Sequence, residues 1–259
     1  MSGFLFNDIV FGPVKSRRFG VSLGVNLLPE TMKYCTFNCI YCECGLTDAE
    51  QDKKVQIPSA SKIIEALALR FEELSQGGLQ PDNITFAGNG EPTIHPGFPE
   101  IIAQTIILRD KYFPEALITV LSNSTRLHIP KVKEALLKLD NNVLKLDAGS
   151  QEMFDLINRP ASPVKIESIV EQLASFKGNL VIQTLFVRGV VNGAKIDNTT
   201  EEEINLWIGH LLNIKPKLVM LYPIERGTPE KGLEKISADE LNAIALKLSG
   251  YGIASEVFA

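Results

Sequence analysis

All four cysteines of the 259-residue chain lie within ten residues, in the stretch KYCTFNCIYCECG at 33–45. Cys35, Cys39 and Cys42 have the spacing Cys-x3-Cys-x2-Cys. Thiolates are soft ligands that suit iron–sulfur clusters and zinc. Three thiolates on a four-iron cluster leave one iron open, and an open position distinguishes catalytic metal centres from structural ones. The spacing predicts such a cluster rather than a zinc knuckle, which usually pairs two Cys-x2-Cys units across a longer spacer.

Composition limits the classes of partner. The net charge is −5 and the pI is near 5.4, which does not favour broad binding to nucleic acid or a membrane surface. Residues 15–18 (KSRR) are the local exception. The first residues lack a basic region and no run of 18 apolar residues occurs, so neither a signal peptide nor a transmembrane helix is expected. We expect a cytoplasmic protein, because a reducing compartment favours metal-binding thiolates over disulfides.

The elements that must position the cysteines form an alternating βα pattern. The strands have continuous apolarity, which is typical of buried parallel strands. They are predicted at 19–28, 84–88, 117–123, 143–148, 180–187 and 217–222. Helical patterns cover 61–76 and 98–112, and two further helices begin near Pro130 and Ile166. The last two begin after residue pairs with capping-box spacing, Thr200/Glu203 and Ser237/Glu240.

Repeated βαβ units predict a parallel sheet with helices outside it. Six strands favour a parallel-stranded partial (β/α)6 barrel, with an open doubly wound sheet as the alternative. We expect one domain over 1–259, with a short lead-in at 1–18 and a helical end at 237–259.

In such folds the chemistry lies at the carboxyl ends of the strands. Gly88 and Gly90 would let a ligand approach the backbone there, although the same residues can form an ordinary tight turn. Asp147 shares a face with Lys145, which leaves open a structural ion pair or a ligand contact. The other polar residues at these strand ends are Asn89, Glu91, Ser122, Asn123, Gln183 and Arg226.

The cysteine spacing, placed after the first strand and with Tyr41 before the last cysteine, resembles the cluster loop of radical S-adenosylmethionine (SAM) enzymes. The GNGE stretch after the second strand resembles the glycine–glutamate motif of that superfamily. Three longer stretches further resemble the bacterial relatives of the wyosine-forming tRNA enzymes, a branch of uncharacterised Fe-S oxidoreductases. These stretches are FGPVKSRRFGVSLGVNLLP, GNGEPTIHP and KLDAGSQEMFDLINRP.

The resemblance implies one 4Fe-4S cluster held by Cys35, Cys39 and Cys42, with SAM bound to the fourth iron. One electron from the cluster would cleave SAM to methionine and a 5′-deoxyadenosyl radical, which would abstract hydrogen from a substrate. This is an oxidoreductase or lyase-type enzyme of unspecified reaction. The implied SAM-binding residues are Tyr41, Gly88, Asn89, Gly90, Glu91, Ser122, Asn123 and Asp147.

Cys44 would block SAM if it bound the fourth iron, so we do not assign it as a ligand. The chain then has too few cysteines for an auxiliary cluster. No flavin motif is apparent either, so an external one-electron donor, a flavodoxin or a ferredoxin, is the expected partner.

The family resemblance and the net charge of the chain point to different classes of substrate. The resemblance points toward tRNA guanosine modification, whereas an acidic chain is a poor match for a polyanion. A small molecule or a peptide is the expected substrate, with tRNA modification and a non-catalytic metal protein as alternatives. The candidate substrate contacts are Lys15, Arg17, Arg18, Gln183 and Arg226, although the basic residues at 15–18 are equally consistent with a solvated turn.

Overall fold

A computed structural model describes residues 3–47 and 55–259. Its strands are β1 (Val10–Ser16), β2 (Gly20–Val25), β3 (Asn83–Phe86), β4 (Leu117–Ser122), β5 (Asn141–Lys145), β6 (Val181–Leu185), β7 (Val187–Val191), β8 (Ala194–Asp197), β9 (Leu218–Tyr222), β10 (Leu233–Lys235) and β11 (Ser255–Val257). Its helices are α1 (Ala60–Gln76), α2 (Phe98–Tyr112), α3 (Pro130–Leu136), α4 (Gln151–Asn158), α5 (Ile166–Ala174), α6 (Glu201–Ile214) and α7 (Ala238–Gly250).

The main sheet has the strand order β1-β2-β3-β4-β5-β6-β9-β11. The six strands from β2 to β9 in that order pair in parallel, which confirms the predicted partial barrel. Antiparallel β1 and parallel β11 extend its two edges. In the described residues these edges do not pair with each other, so the barrel has an open side. A small antiparallel sheet, β10-β7-β8, stands beside it.

Several elements differ from the prediction. The lead-in at 1–18 contains β1, whose residues are mostly half-exposed and therefore lack the apolar signal of a buried strand. The helical end at 237–259 finishes with β11, and the predicted strand 180–187 divides between β6 and β7. Helix α4 was not predicted; Ser150 caps it by accepting a hydrogen bond from the backbone N–H of Met153.

Alternation along the strands explains how an apolar sheet carries a polar site. One face, which includes Leu23, Ile84, Val120 and Ile182, is fully buried with the helices in the main core. On the other face Val143, Val181 and Met220 form a separate apolar cluster. Two residues further along the same strands, and therefore on the same face, are Lys145, Gln183 and Tyr222. The interior of the barrel is thus apolar at one end and polar toward the carboxyl ends of the strands.

The helix starts agree in part with the predicted capping boxes. The reciprocal Ser237–Glu240 box is present at α7. At α6, Thr200 accepts from the backbone N–H of Glu203, but the Glu203 carboxylate instead accepts from the N–H groups of Gly149 and Ser150 at 2.9 and 3.2 Å. That carboxylate therefore holds the segment after β5. Among the described residues, none of the helices combines the length and the apolar character that a membrane crossing requires.

Candidate functional site

The cysteine loop (residues 33–45) follows β2 and is fastened on two sides. On one side it pairs with the glycine–glutamate segment (residues 88–91): the Tyr34 N–H donates to Asn89 O at 2.8 Å, and the Glu91 N–H donates to Tyr34 O at 3.2 Å. On the other side the Ile40 N–H donates to Ile157 O, at the end of α4, at 3.0 Å. The two stretches that the motif analysis selected are therefore in direct backbone contact.

Gly90 makes the close contact with Tyr34 sterically possible. Its φ is +144°, and a Cβ at this position would lie 1.8 Å from the carbonyl oxygen of Tyr34. A residue with a side chain would pay the strain of that φ, about 1–3 kcal/mol, and would also collide with the loop. The glycine is thus required by the backbone geometry and not merely by a turn.

Gly90→Ala is expected to displace the cysteine loop from the glycine–glutamate segment and to reduce the iron bound after anaerobic reconstitution by half or more. Gly209→Ala is the matched control, because a Cβ on Gly209 in α6 meets no atom within 4 Å. Replacing a helix-interior glycine by alanine should be neutral or stabilising. Iron per chain and the thermal midpoint measure both effects; equal iron contents in the two variants would contradict this account of Gly90.

The cysteine sulfurs lie where N–H groups are directed at them. The Phe37 backbone N–H and the Asn123 side-chain amide both donate to Cys35 Sγ at 3.5 Å. The Asn158 amide donates to Cys39 Sγ at 3.4 Å. Such donors stabilise sulfur that carries negative charge, as in a metal thiolate. Cys35 and Cys39 thus have N–H donors of this kind, and three thiols are the donor chemistry that an iron–sulfur cluster requires.

The protonation of the four thiols is set by burial and by each other. Burial raises the pKa of Cys35 to about 12 and also raises that of Cys39. The hydrogen bond between the Cys42 and Cys44 thiols lowers the pKa of Cys42 to about 5 and raises that of Cys44. The buried Lys33 lowers the pKa of Cys42 and of Cys35, and Lys145 lowers that of Cys39, so each sulfur of the triad has a cationic neighbour.

Glu91 organises the neighbouring strand end. Its buried carboxylate accepts hydrogen bonds from the Thr93 N–H at 3.0 Å, the Ser122 hydroxyl at 2.9 Å and the Asn123 N–H at 2.5 Å. Burial raises the pKa of Glu91, whereas these donors lower it. Asn123 in turn directs its amide at Cys35. Glu91, Ser122 and Asn123 are thus brought together, as one network behind the cysteine loop.

Asn89 and Gly88 make contacts within the protein. The fully buried Asn89 side chain exchanges hydrogen bonds with the backbone of Phe6, at 2.8 Å in both directions, and donates to Pro29 O at 2.8 Å. The carbonyl oxygen of Gly88 accepts from the Cys44 thiol at 3.5 Å. The Asn89 side chain therefore anchors the segment around Phe6, and the carbonyl oxygens of Gly88 and Asn89 already accept from the cysteine loop.

Asp147 is the centre of a buried network. Its carboxylate accepts from the Tyr41 hydroxyl, from the Asn158 amide at 2.8 Å and from the Leu185 N–H at 3.0 Å. Lys145 forms an ion pair with it at 3.3 Å and also donates to the Tyr41 hydroxyl at 2.6 Å. Both carboxylate oxygens are engaged by protein groups. This geometry favours the structural ion pair of the two alternatives and ties Tyr41, in the cysteine loop, to β5.

A cavity of about 630 Å³ occupies the open side of the barrel. Tyr41 and Cys42 of the cysteine loop contribute to its wall, and so do residues from the β1–β2 turn and from the segment after β9. Four predicted substrate contacts line it: Lys15, Arg17, Arg18 and Arg226. The fifth, Gln183, donates instead to the hydroxyl of Tyr222, which does line the cavity. Its size falls within the range of small-molecule sites, about 300–1,000 Å³.

The sequence analysis missed several residues of this site. Lys33 donates to Gly45 O at 3.0 Å inside the cysteine loop, and Asn158 contacts both Cys39 and Asp147. Asn26 accepts from the Asn89 N–H at 3.1 Å. Asn26 could have been identified from the sequence, because a polar residue within the apolar run at the end of a strand needs a buried hydrogen-bond partner. Phe4, Phe6 and Phe11 also line the cavity, whereas only Lys15, Arg17 and Arg18 of the lead-in were predicted to contribute to the site.

The Radical SAM superfamily model matches residues 30–200 of this chain. A "UPF0026 protein" of Helicobacter pylori (strain J99) is 35% identical over 248 residues, which cover 93% of this chain and 74% of that protein. The fold is similar to a radical SAM methyltransferase from Sphaerobacter thermophilus, with a TM-score of 0.64 and 15% identity, over 92% of this chain and 65% of that chain.

Streptococcus suis SuiB bound to S-adenosylmethionine has a TM-score of 0.63 and 14% identity, over 88% of this chain and 49% of that chain. This chain thus spans about two thirds of the Sphaerobacter thermophilus methyltransferase chain and about half of the SuiB chain. At such identities the likeness concerns the fold. The family match over more than half of the sequence assigns a 4Fe-4S cluster and SAM as the cofactors. This chain belongs to the Radical SAM superfamily.

Proposed function

We propose that this chain is an enzyme that holds one site-differentiated 4Fe-4S cluster on Cys35, Cys39 and Cys42 and acts on a small substrate in the cavity beside it. The observation that carries the proposal is the position of Cys42, which belongs to the triad and also lines the 630 Å³ cavity. A cluster held there would supply one-electron cleavage of SAM to methionine and a 5′-deoxyadenosyl radical for hydrogen abstraction.

The chain's own residues would orient and shield this chemistry. Glu91 and Asp147 hold the cysteine loop against β4 and β5 through Asn123 and Tyr41. The backbone of residues 88–91 is directly bonded to the loop and therefore adjacent to any group that the loop holds. Phenylalanine side chains in the cavity wall would exclude water from a reactive intermediate.

Radical SAM enzymes generally need an external electron donor, and we propose a flavodoxin or a ferredoxin for this chain. For the substrate we propose a small molecule or a peptide, because an acidic chain with one compact basic cluster has little surface for a polyanion. The alternative, tRNA guanosine modification, requires binding that weakens steeply with salt. A titration with total cellular RNA at two salt concentrations distinguishes the two.

Anaerobic reconstitution with iron and sulfide tests the proposal. The protein should become brown and bind about four irons per chain, as a single 4Fe-4S cluster requires. Adding SAM to the dithionite-reduced protein should change the electron paramagnetic resonance spectrum and yield 5′-deoxyadenosine. A colourless, zinc-only protein would contradict the cluster, and a spectrum indifferent to SAM would contradict the catalytic part of the proposal.

A further inference from the structure

Arg18 is a half-buried cation that forms no salt bridge with any residue in the described part of the chain. Its Nη1 atom is buried and has no hydrogen-bond partner among residues 3–47 and 55–259. Burial lowers the pKa of Arg18, while the neighbouring Tyr222 acts in the opposite direction. A charged group removed from water costs free energy unless it is paired, and a guanidinium cannot discharge by losing its proton at ordinary pH. Nη1 of Arg18 therefore lacks a hydrogen-bond acceptor among the described residues.

The remaining charges of the cavity do not supply that acceptor. In the described part of the chain, the charged residues that line it are Lys15, Arg17, Arg18, Arg226, Glu43 and Glu225. Glu225 pairs with Arg17 at 3.5 Å and with Lys235 at 2.7 Å, and Glu43 pairs with Arg226 at 2.8 Å. Glu43 favours the charged form of Arg18 at longer range, but neither carboxylate forms an ion pair with it. The cavity retains an excess of positive charge in an overall acidic chain, and such a cleft attracts anions.

Hydrogen bonds to side chains fix the turn that carries Arg18. Ser16 Oγ accepts hydrogen bonds from the N–H groups of Arg18 and Phe19, both at 3.2 Å. Gly20 closes the three-residue hairpin with φ +65°, and the next N–H, of Val21, donates to Asp82 at 2.7 Å. The guanidinium is held over the rings of Phe19 and Tyr222, at 5.2 and 5.8 Å from their centroids. A ligand would bind Arg18 with little further ordering of the protein.

Aromatic rings form another part of the same wall. Phe6 and Phe11 are stacked with their centroids 3.8 Å apart, and Phe4 meets the edge of Phe6 at 5.0 Å. Rings offer flat faces on which a planar apolar group can stack. Arg18 and these phenylalanines line the same cavity as Cys42. The cavity therefore combines one cationic anchor with a flat apolar surface.

We propose that Arg18 anchors the anionic group of the substrate, and that the substrate is a small molecule in which a carboxylate or a phosphate is attached to a flat ring. The inference rests on the proposed function, since it names the class of molecule that would react in this cavity. A guanidinium matches both anions through two parallel N–H donors.

Calorimetric titration of the reconstituted holoenzyme with phenyl phosphate and with benzoate tests this inference, and the stronger ligand identifies the anion. Arg18→Met should weaken the stronger ligand about tenfold or more, the loss expected for a hydrogen-bonded charge pair. Arg17→Met should weaken it about threefold or less, because Arg17 is exposed and paired with Glu225. Lys195→Met, on β8 outside the cavity lining, controls for net charge. If Arg18→Met does not fold, Arg18→Gln carries the same test.

Benzyl alcohol and inorganic phosphate separate the two halves of the proposed ligand, and each should bind at least about tenfold more weakly than the better probe. Unchanged binding to Arg18→Met would overturn the inference. Displacement of the probe by SAM would also overturn it, because Arg18 would then serve the cofactor carboxylate. A holoenzyme that cleaves SAM but binds neither probe would refute the substrate class alone, whereas failure to form the cluster would refute the proposed function.

Discussion

Alanine in place of Cys35, Cys39 or Cys42 is expected to give a colourless protein after anaerobic reconstitution, with bound iron falling from about four per chain to near zero. Two remaining thiolates hold a four-iron cluster poorly. The contacts of the three sulfurs are not interchangeable: Asn123 donates to Cys35, Asn158 to Cys39, and Cys44 and Lys33 act on Cys42. We therefore expect no single substitution to be rescued by a neighbouring cysteine. Iron and sulfide analysis with the visible absorption spectrum measures the outcome.

Cys44→Ala is the matched control, because it removes a thiol from the same loop. Cys44 contacts Gly88 O and Cys42, and losing such hydrogen bonds costs about 1 kcal/mol. The variant should retain the cluster and the response of its spectrum to SAM. If Cys44→Ala loses the iron while one of the triad variants keeps it, the assigned ligand set is wrong.

Asp147→Ala is expected to lower the free energy of unfolding by about 3–5 kcal/mol, the cost of leaving one member of a buried ion pair unpaired. The Asp147 side chain is fully buried and Lys145 is 17% exposed. The substitution would leave Lys145, Asn158, Tyr41 and the N–H of Leu185 without their shared acceptor. For a chain of this size the thermal midpoint should fall by roughly 6–20 °C. Circular dichroism during heating measures it.

The matched control is Asp110→Ala, which removes a carboxylate that is 60% exposed and paired with Arg109. A surface pair of this kind is worth about 1 kcal/mol or less. Because Asp147 holds Tyr41 in the cysteine loop, Asp147→Ala should also reduce bound iron, whereas Asp110→Ala should not. Similar midpoints for the two variants would show that the Asp147 network does not hold the loop.

The elements most readable from the sequence are those with local signals. Continuous apolar runs predicted the six parallel strands, because a strand covered on both faces has apolar residues at every position. The capping box at Ser237 and Glu240 was predicted correctly because its two partners are only three residues apart, so its signal is also local. Strand β1 lacked any such signal. Its residues are half-exposed, and its place at the sheet edge follows from the turn at 17–19.

The sequence by itself indicated the radical SAM superfamily, because its cysteine loop and its glycine–glutamate segment resemble motifs of that family. It also located the end of the sheet at which polar residues collect, because this follows from the direction of parallel strands. Tertiary structure decided what each polar side chain does. Tyr41 meets Asp147 across 106 residues, and Asn89 meets Phe6 across 83. Neither partner can be inferred from local pattern, because side chains distant in sequence meet only when the strands have assembled. The buried, unpartnered nitrogen of Arg18 has the same origin: in the sequence, Arg18 is only one of three cations in a turn.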